Sequence, residues 1–408
     1  MSNWKSHFKK IIFHSYQKGA VLIGLIITMT VVAVLSAALV YFTTTSTFSE
    51  FFANRQERAY YIAESGARYA IPQIKVDPAQ AVIDLHGKTF TLSNGDKFLL
   101  LINTTDPSAT LLESEGIVHQ GDWLESRARI TYRIPKTFRF DYGLFSGSQQ
   151  VVLNDRAYID SYDSRVGPWS SEGAIRNGIV GSNRTGKNSI RVRKNAKVYG
   201  DAEVGPGGNP SKDISVEKNA LLTGSSGTLS AAKDMTPLAM PSGGGTPVDL
   251  ILDNNDTYTF VDGIYRLNAM EIRDNGILTI SGNVTLYVED NIQMEDRGEI
   301  DILPGGSLTI YAAAQLTVKQ DAKINETGNP ENFVVFGTAT FSKVQFTDNS
   351  IVRGAVYAPL ANAQIQKNAE IFGSVITRKV TVEDDVMFHY DEALGGGVEI
   401  GGRTIQYF

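Results

Sequence analysis

Few residues of this chain are equipped for chemistry, and they are scattered. Among 408 residues there is no Cys and there are only five His. That excludes disulfides, thiolate catalysis and Cys-ligated zinc or iron–sulfur sites, and leaves a thin inventory for metal or general-base work. Two of the His, His7 and His14, fall in a basic leader. His119 and Asp122 are spaced as a base and its orienter would be, yet they read as exposed polars of a turn between two strands. The densest acidic clusters are EDD at 383–385, DNND at 253–256 and HYDE at 389–392. None has the alternating Asp spacing, closed by Gly, of a calcium loop. Arg191, Arg193, Lys194 and Lys197 would make a cationic face for an acidic polysaccharide, and the solvated edge of a strand has the same composition. Asn195, Asn219, Asp321, Asn368 and Asp385 recur at one point of a repeat. A ladder of amides and carboxylates for calcium or sugar is conceivable there. Corner geometry accounts for it without a ligand, because Asn and Asp tolerate left-handed backbone. No catalytic residue, metal ligand or cofactor is assigned, and a non-enzymatic protein is expected.

The elements carrying these residues begin with a membrane segment. The chain has 38 basic and 44 acidic side chains and a net charge of −6, while Lys5, Lys9, Lys10 and Lys18 all precede position 20. The remaining body is acidic and lacks the cationic surface that binding to nucleic acid requires. Residues 20–42, AVLIGLIITMTVVAVLSAALVYF, carry no charge and exceed the roughly 20 residues that span a hydrocarbon core. The lysines place the N-terminus in the cytoplasm and the residues after Phe42 outside. Phe48, Phe51 or Phe52, Ala59, Ile62, Gly66 and Tyr69 then recur at threes and fours, so the helix continues, with Pro72 and Pro78 as stop signals. A rod over 20–71 would be roughly 80 Å long. Small residues at Ser36-Ala37-Ala38 leave a cleaved secretory signal as one alternative, and a plain uncleaved anchor is another.

Lys18-Gly19-Ala20, a basic leader ending in Gly before the apolar run, resembles a type IV prepilin. The resemblance implies cleavage by a prepilin peptidase between Gly19 and Ala20, with methylation of the new N-terminus. RAYYIAESGARYA at 58–70 resembles the AE-x-G segment of PilX-like minor pilins. Major pilins carry Glu at the fifth mature position, where it pairs with a neighbour's terminal amine; this chain has Gly24. PilX-like and GspK-like minor subunits are similar in lacking that Glu, which implies a position at the filament tip. LESEGIVHQGDWLESRARITYRI, after the helix, is similar to the strand-turn-strand segment of PilX-like proteins.

A mainly β fold comes after the helix. Residues 81–135 alternate with period two around the turn Ser93-Asn94-Gly95-Asp96, which predicts a small antiparallel unit at 77–137. From 138 to 394 a repeat appears: VRKNAKVYG from Val192, VEKNALLTG from Val216 and IQKNAEIFG from Ile365, with looser copies from Ile272, Val318 and Val382. Spacing near 20 with one polar corner per repeat predicts a β-helix, a solenoid whose coils bury an inward apolar stack. Residues 223–249, rich in Gly, Ser and Pro, read as a loop or hinge, and 395–408 as a tail holding one last alternating strand. IDSYDS (159–164), GDAEVGPGGNP (200–210), GAVYAP (354–359) and FHYDEAL (388–394) resemble an uncharacterised β-helical domain that is often joined to PilX-like N-termini.

Together these features lead to the expectation of a structural minor pilin of a pilus or pseudopilus. It would have a leader at 1–19, a spine helix at 20–76, an inner-membrane anchor and a β-helical head that is periplasmic and later surface-exposed. Its partners would be the prepilin peptidase, other minor and major pilins and the membrane, with surface polysaccharide a further candidate. A membrane-anchored carbohydrate-active β-helix and a bactofilin-like scaffold stacking end to end are the alternatives.

Overall fold

A computed structural model describes residues 4–76, 78–104, 109–119, 121, 125–135, 137–175, 177–396 and 398–399. The fold is mainly β with one long N-terminal helix, and it divides into two units. One runs to Ile102 and takes in Leu112–Tyr132; the other holds Asn103–Leu111 and the described residues from Arg133 on.

Helix α1 spans Trp4–Val76 without a break. Among the described residues it is the one helix long and apolar enough to cross a membrane, and the side chains of Leu22 to Phe42 lie exposed. Its polar residues there bond inward. The hydroxyls of Thr28, Thr30 and Thr44 donate to the carbonyls of Gly24, Ile26 and Val40, each four residues back, which is how hydroxyls are accommodated where no water is available.

The expected stop at Pro72 is not observed, since α1 continues through it to Val76. Proline removes the N–H that would bond the Arg68 carbonyl and its ring crowds that carbonyl, so it weakens the last turn, and α1 ends four residues further on. Pro78 instead opens α2 (Pro78–Leu85) at the first helical position, where its missing N–H is not needed. Ala81 and Leu85, four apart, are buried. The period-two pattern expected from 81 onward therefore starts only at β1.

Strands β1 (Thr89–Thr91), β2 (Lys97–Asn103), β3 (Ala109–Val118) and β4 (Ser126–Pro135) form an antiparallel sheet in chain order. Phe90 lies opposite Phe98, and the hairpin turns at the expected Asn94-Gly95, with Gly95 at φ +86°. On α1 the face against this sheet is made of small residues: Ala59, Ile62, Ala63, Ala67, Ala70 and Ile74 are buried. A Cβ at Gly116 would overlap the carbonyl oxygen of Ala59, and one at Gly66 would meet Ser114 and Phe98. At Gly116 helix and strand backbones nearly touch, and at Gly66 side chains of the sheet fill the space a Cβ would need. Of the sequence-expected stripe only Ala59, Ile62 and Gly66 face inward. Phe48, Phe51, Phe52 and Tyr69 are at least 41% exposed, so the stripe is corrected: the small residues were the interface.

The second unit is built on a sheet of twenty-three strands, and the pairings between its strands are parallel among the described residues. One register column runs through the sheet: Leu252, Ile272, Met294, Val318, Phe346, Ile365, Val382, Leu153, Val192, Val216. The sequence repeats are thus Cα partners, Val192 with Val216 and Ile365 with Val382. Ile272 and Val318 are separated by the intervening Met294. The copies at Leu153, Leu252, Met294 and Phe346 escaped the sequence comparison because their corners read NDR, DNN, EDR and TDN rather than KN. Val318, Ile365 and Val382 are fully buried, whereas Val216 is 42% exposed. It was expected to point inward among neighbours, but among the described residues no strand lies beyond it.

After each column residue except Val216 the chain turns through paired left-handed residues, among them Lys194-Asn195, Asp274-Asn275, Gln320-Asp321, Lys367-Asn368 and Asp384-Asp385. At corners other than Lys194-Asn195 the second residue donates its N–H to the backbone carbonyl of the first residue of the next corner: Asn275 to Asp296, Arg297 to Gln320, Asp321 to Asp348, Asn349 to Lys367, Asn368 to Asp384, Asp385 to Asp155. The stretch 223–249, expected as a loop or hinge, holds the strand Ser226–Thr228 and the start of the strand Val248–Leu252, and only 229–247 between them is a loop, bonded along its course. Asn183 and Lys233 bond reciprocally, the Tyr357 hydroxyl donates to the carbonyl of Thr236, and Arg266 donates to the carbonyls of Pro241 and Gly243. Of the tail, Val398–Glu399 pairs antiparallel with Thr137–Phe138; residues 400–408 lie outside the described residues.

Candidate functional site

Arg353, Phe372, His389 and Asp160 occupy one register column. Their chain neighbours Val352, Ile371, Phe388 and Ile159 are buried in the apolar interior, so strand alternation turns these four outward. Outward residues should be wet, but His389 and Asp160 are 0% and 1% exposed. The cover is the segment after Tyr162. Trp169 lies 4.0 Å, ring to ring, from His389 and donates its indole N–H to Asp160 at 3.2 Å, while Phe372 lies 4.8 Å from the His389 ring.

His389 Nδ1 is 2.5 Å from Asp160 Oδ1. Its Nε2 makes no hydrogen bond and stands 3.6 Å from Glu370 Oε1. Burial alone would lower this imidazole's pKa, but the two carboxylates outweigh burial and hold it above the ordinary value. A His–Asp pair has the composition of a catalytic dyad. Here both members are sealed and the free nitrogen faces a carboxylate, so no substrate atom reaches it and the pair works as a clamp. Next to it, Asp391 accepts the backbone N–H groups of Ser164 and Ala393. Burial raises its pKa, and those bonds oppose the rise. Ser161 donates to Glu392 at 2.8 Å.

Beside the clamp opens a cleft of about 320 Å³, lined by Tyr162, Ser164, Gly167 and Pro168, by residues 326–329 and by Arg353. The Arg353 guanidinium sits 3.6 Å over the Phe372 ring. Burial pushes the Tyr162 hydroxyl above its usual range, and Arg353 pulls the other way.

The sequence-derived candidates are distributed differently. His119 is an exposed turn residue with φ 53°, and Asp122 lies outside the described residues. Asn195, Asp321, Asn368 and Asp385 are left-handed corners; Asn219 holds the same point of the last coil and is not among the positive-φ residues. The acidic clusters at 253–256 and 383–385 are engaged with arginine, Asp253 with Arg273 and Asp385 with Arg156. The cationic face is engaged too: Arg193 reaches Glu217 at 3.5 Å and Lys194 reaches Asp155 at 3.1 Å. No group of three or more His, Cys, Asp or Glu placed to hold a metal occurs among the described residues. Gly19, Ala20 and Gly24 lie within α1, and at Gly24 nothing stands within 4 Å of where a Cβ would be.

The HYDE cluster, weak as a motif, proved to be half of the clamp. The other half is IDSYDS: His389 meets Asp160, Asp391 meets Ser164 and Glu392 meets Ser161. Arg353, Tyr162 and Trp169 carried no spacing signal, because the three come from separate coils and a covering loop.

Residues 228–396 match the model of a domain of unknown function, DUF7305. No curated protein matches the chain significantly. Among solved structures, the chain is similar to the competence-associated pilin ComZ from Thermus thermophilus at 13% identity. That match covers 86% of this chain and 96% of ComZ, with a TM-score of 0.27.

Proposed function

We propose that this chain is a pilin-like, membrane-anchored structural subunit of the PilX-like minor class, cut between Gly19 and Ala20. In this reading the twenty-three-stranded unit is a β-helix displayed as its head, and the protein has no enzymatic activity. One observation carries the proposal. A single helix, α1, passes unbroken from the basic leader through an exposed apolar stretch into a small-residue face docked on an antiparallel sheet. That is the mechanical plan of a subunit which packs by its helix and presents a folded head. Gly24, with open space around it, offers no carboxylate to a neighbour's amine, which suits a terminal, low-copy place in the filament. The parallel register column and the corner ladder support the β-helix reading. Mass spectrometry of the mature N-terminus tests the proposal: a methylated Ala20 is expected, and a chain starting at Met1 or near Leu39 would overturn it. Gly19→Val should retain the leader and abolish assembly.

A further inference from the structure

The cleft beside the clamp holds a cation that no carboxylate pairs among the described residues. Arg353 makes no ion pair among the described residues, and its Nε is buried without a hydrogen-bond partner. Three other arginines of this unit are paired with carboxylates, Arg156 with Asp385, Arg273 with Asp253 and Glu271, and Arg266 with Glu289, whereas Arg353 lines a cleft instead. The cleft also has an unpartnered polar wall. Tyr162 is 4% exposed and its hydroxyl has no hydrogen-bond partner. Glu326 is held by Lys323 at 2.8 Å and retains lone pairs that can accept further donors. The loop bearing it is anchored from beneath, since Asn325 donates to the carbonyls of Asn329 and Arg353. The walls are therefore preorganised rather than collapsed onto one another.

The chemistry of that lining selects its ligand. A stacked guanidinium presents a planar fork suited to one carboxylate. Acceptors around it, the Glu326 carboxylate and the Tyr162 and Ser164 hydroxyls, call for a ligand rich in hydroxyl donors. A dianion such as phosphate would have to sit beside Glu326, and an N-acylated amino acid, with one amide N–H beside its carboxylate, would leave most of the acceptors unmet. A volume of about 320 Å³ is at the small end for ligand sites and suits one monosaccharide. We propose that this cleft binds a single acidic sugar residue of the hexuronate class, its carboxylate on Arg353 and its hydroxyls on Tyr162, Ser164 and Glu326. Such binding would not depend on the pilin assignment.

Saturation-transfer NMR on the full-length protein in lipid nanodiscs tests it, with sodium galacturonate, galactose, inorganic phosphate and N-acetylalanine as separate probes. Galacturonate should saturate, galactose should bind about tenfold more weakly, and Arg353→Gln should weaken galacturonate by about tenfold or more. Tyr162→Phe and Ser164→Ala, whose thermal melts should match the parent, should each weaken it several-fold and decide the matter if Arg353→Gln does not fold. Failure of galacturonate to saturate, equal binding of galactose, tighter binding of phosphate or N-acetylalanine, or indifference to the cleft variants would each overturn the proposal.

Discussion

Leu153 lies beside Val382 in parallel register, so a coil near the start of the second unit is the neighbour of its last. The coil holding Leu153 has Val192 on its other side. The chain therefore enters its own stack in the middle, builds to one end at Val216, and crosses by residues 229–247 to the strand holding Leu252. From there it returns strand by strand until Val382 pairs with Leu153. Closure buries two strand edges that would otherwise be exposed templates for pairing. It also makes the last contact one of the most distant in sequence, the kind that slows folding.

Truncating the column residues should show where the stack ends. Val318→Ala and Ile365→Ala, both fully buried, should cost roughly 1–4 kcal/mol each, by lost transfer energy and cavity formation. Val216→Ala, 42% exposed, should cost under ~1 kcal/mol. Denaturant titration of the three variants checks this, and equal losses would contradict the register.

Corner residues should behave as backbone devices. Asn275→Gly should be near neutral, whereas Asn275→Val should lose about 1–2 kcal/mol, because a β-branched residue resists left-handed φ. Adding calcium should not alter either melt if the corner ladder holds no ion.

Arg58 and Arg68 lie on one helix and should differ in effect. Arg58 pairs at 2.6 Å with Asp96, a carboxylate of which only 4% of the side chain is exposed. Removing Arg58 strands that charge, at about 1–3 kcal/mol after allowing for the half-exposed guanidinium. Arg68 pairs with Glu64 on the helix surface, and Arg68→Met should cost no more than ~0.5 kcal/mol. Thermal melts of the two single variants give the comparison.

Helix docking should be intolerant at Gly116. Gly116→Ala places a methyl group on the Ala59 carbonyl and should destabilise the first unit by about 1–3 kcal/mol. Limited proteolysis should then cut within β3 and β4 at protease levels that leave the parent intact.

Stability should depend on pH through His389. Its pKa is raised in the folded state, so its contribution is complete below about 6.5, the unfolded value, and is lost as pH rises through the higher folded value. The charges facing it are Asp160 and Glu370, with Trp169, Phe372 and Tyr158 as the ring neighbours. Asp391, also raised, has the same sign in a lower window that opens above the normal carboxylate range. Unfolding free energies measured across pH 5 to 9 should decline for the parent and run flatter for His389→Gln.

The sequence by itself determined what depends on neighbours along the chain. The uncharged run at 20–42 is long enough for a spanning helix, Asn94-Gly95 specifies a hairpin, and an apolar residue followed by two polar ones and Asn or Asp marks the corners after Val192, Val216, Ile272, Val318, Ile365 and Val382. These are local events, set by hydrogen-bond geometry and backbone sterics within a few residues. It was silent wherever the outcome depended on what lay beyond a strand. Val192 and Val216 have the same local pattern, yet one is in the interior of the stack and the other at its end. Only the tertiary structure decided that Leu153 closes on Val382. The same holds for the small residues of α1, rather than its aromatics, meeting the sheet, and for His389 being brought onto Asp160 under Trp169. Parallel strand pairing is the physical reason. Every coil offers the same backbone groups to any neighbour, so coil order and the identity of the outward residues that become buried are settled by side-chain fit across the stack and by the loops that cover it.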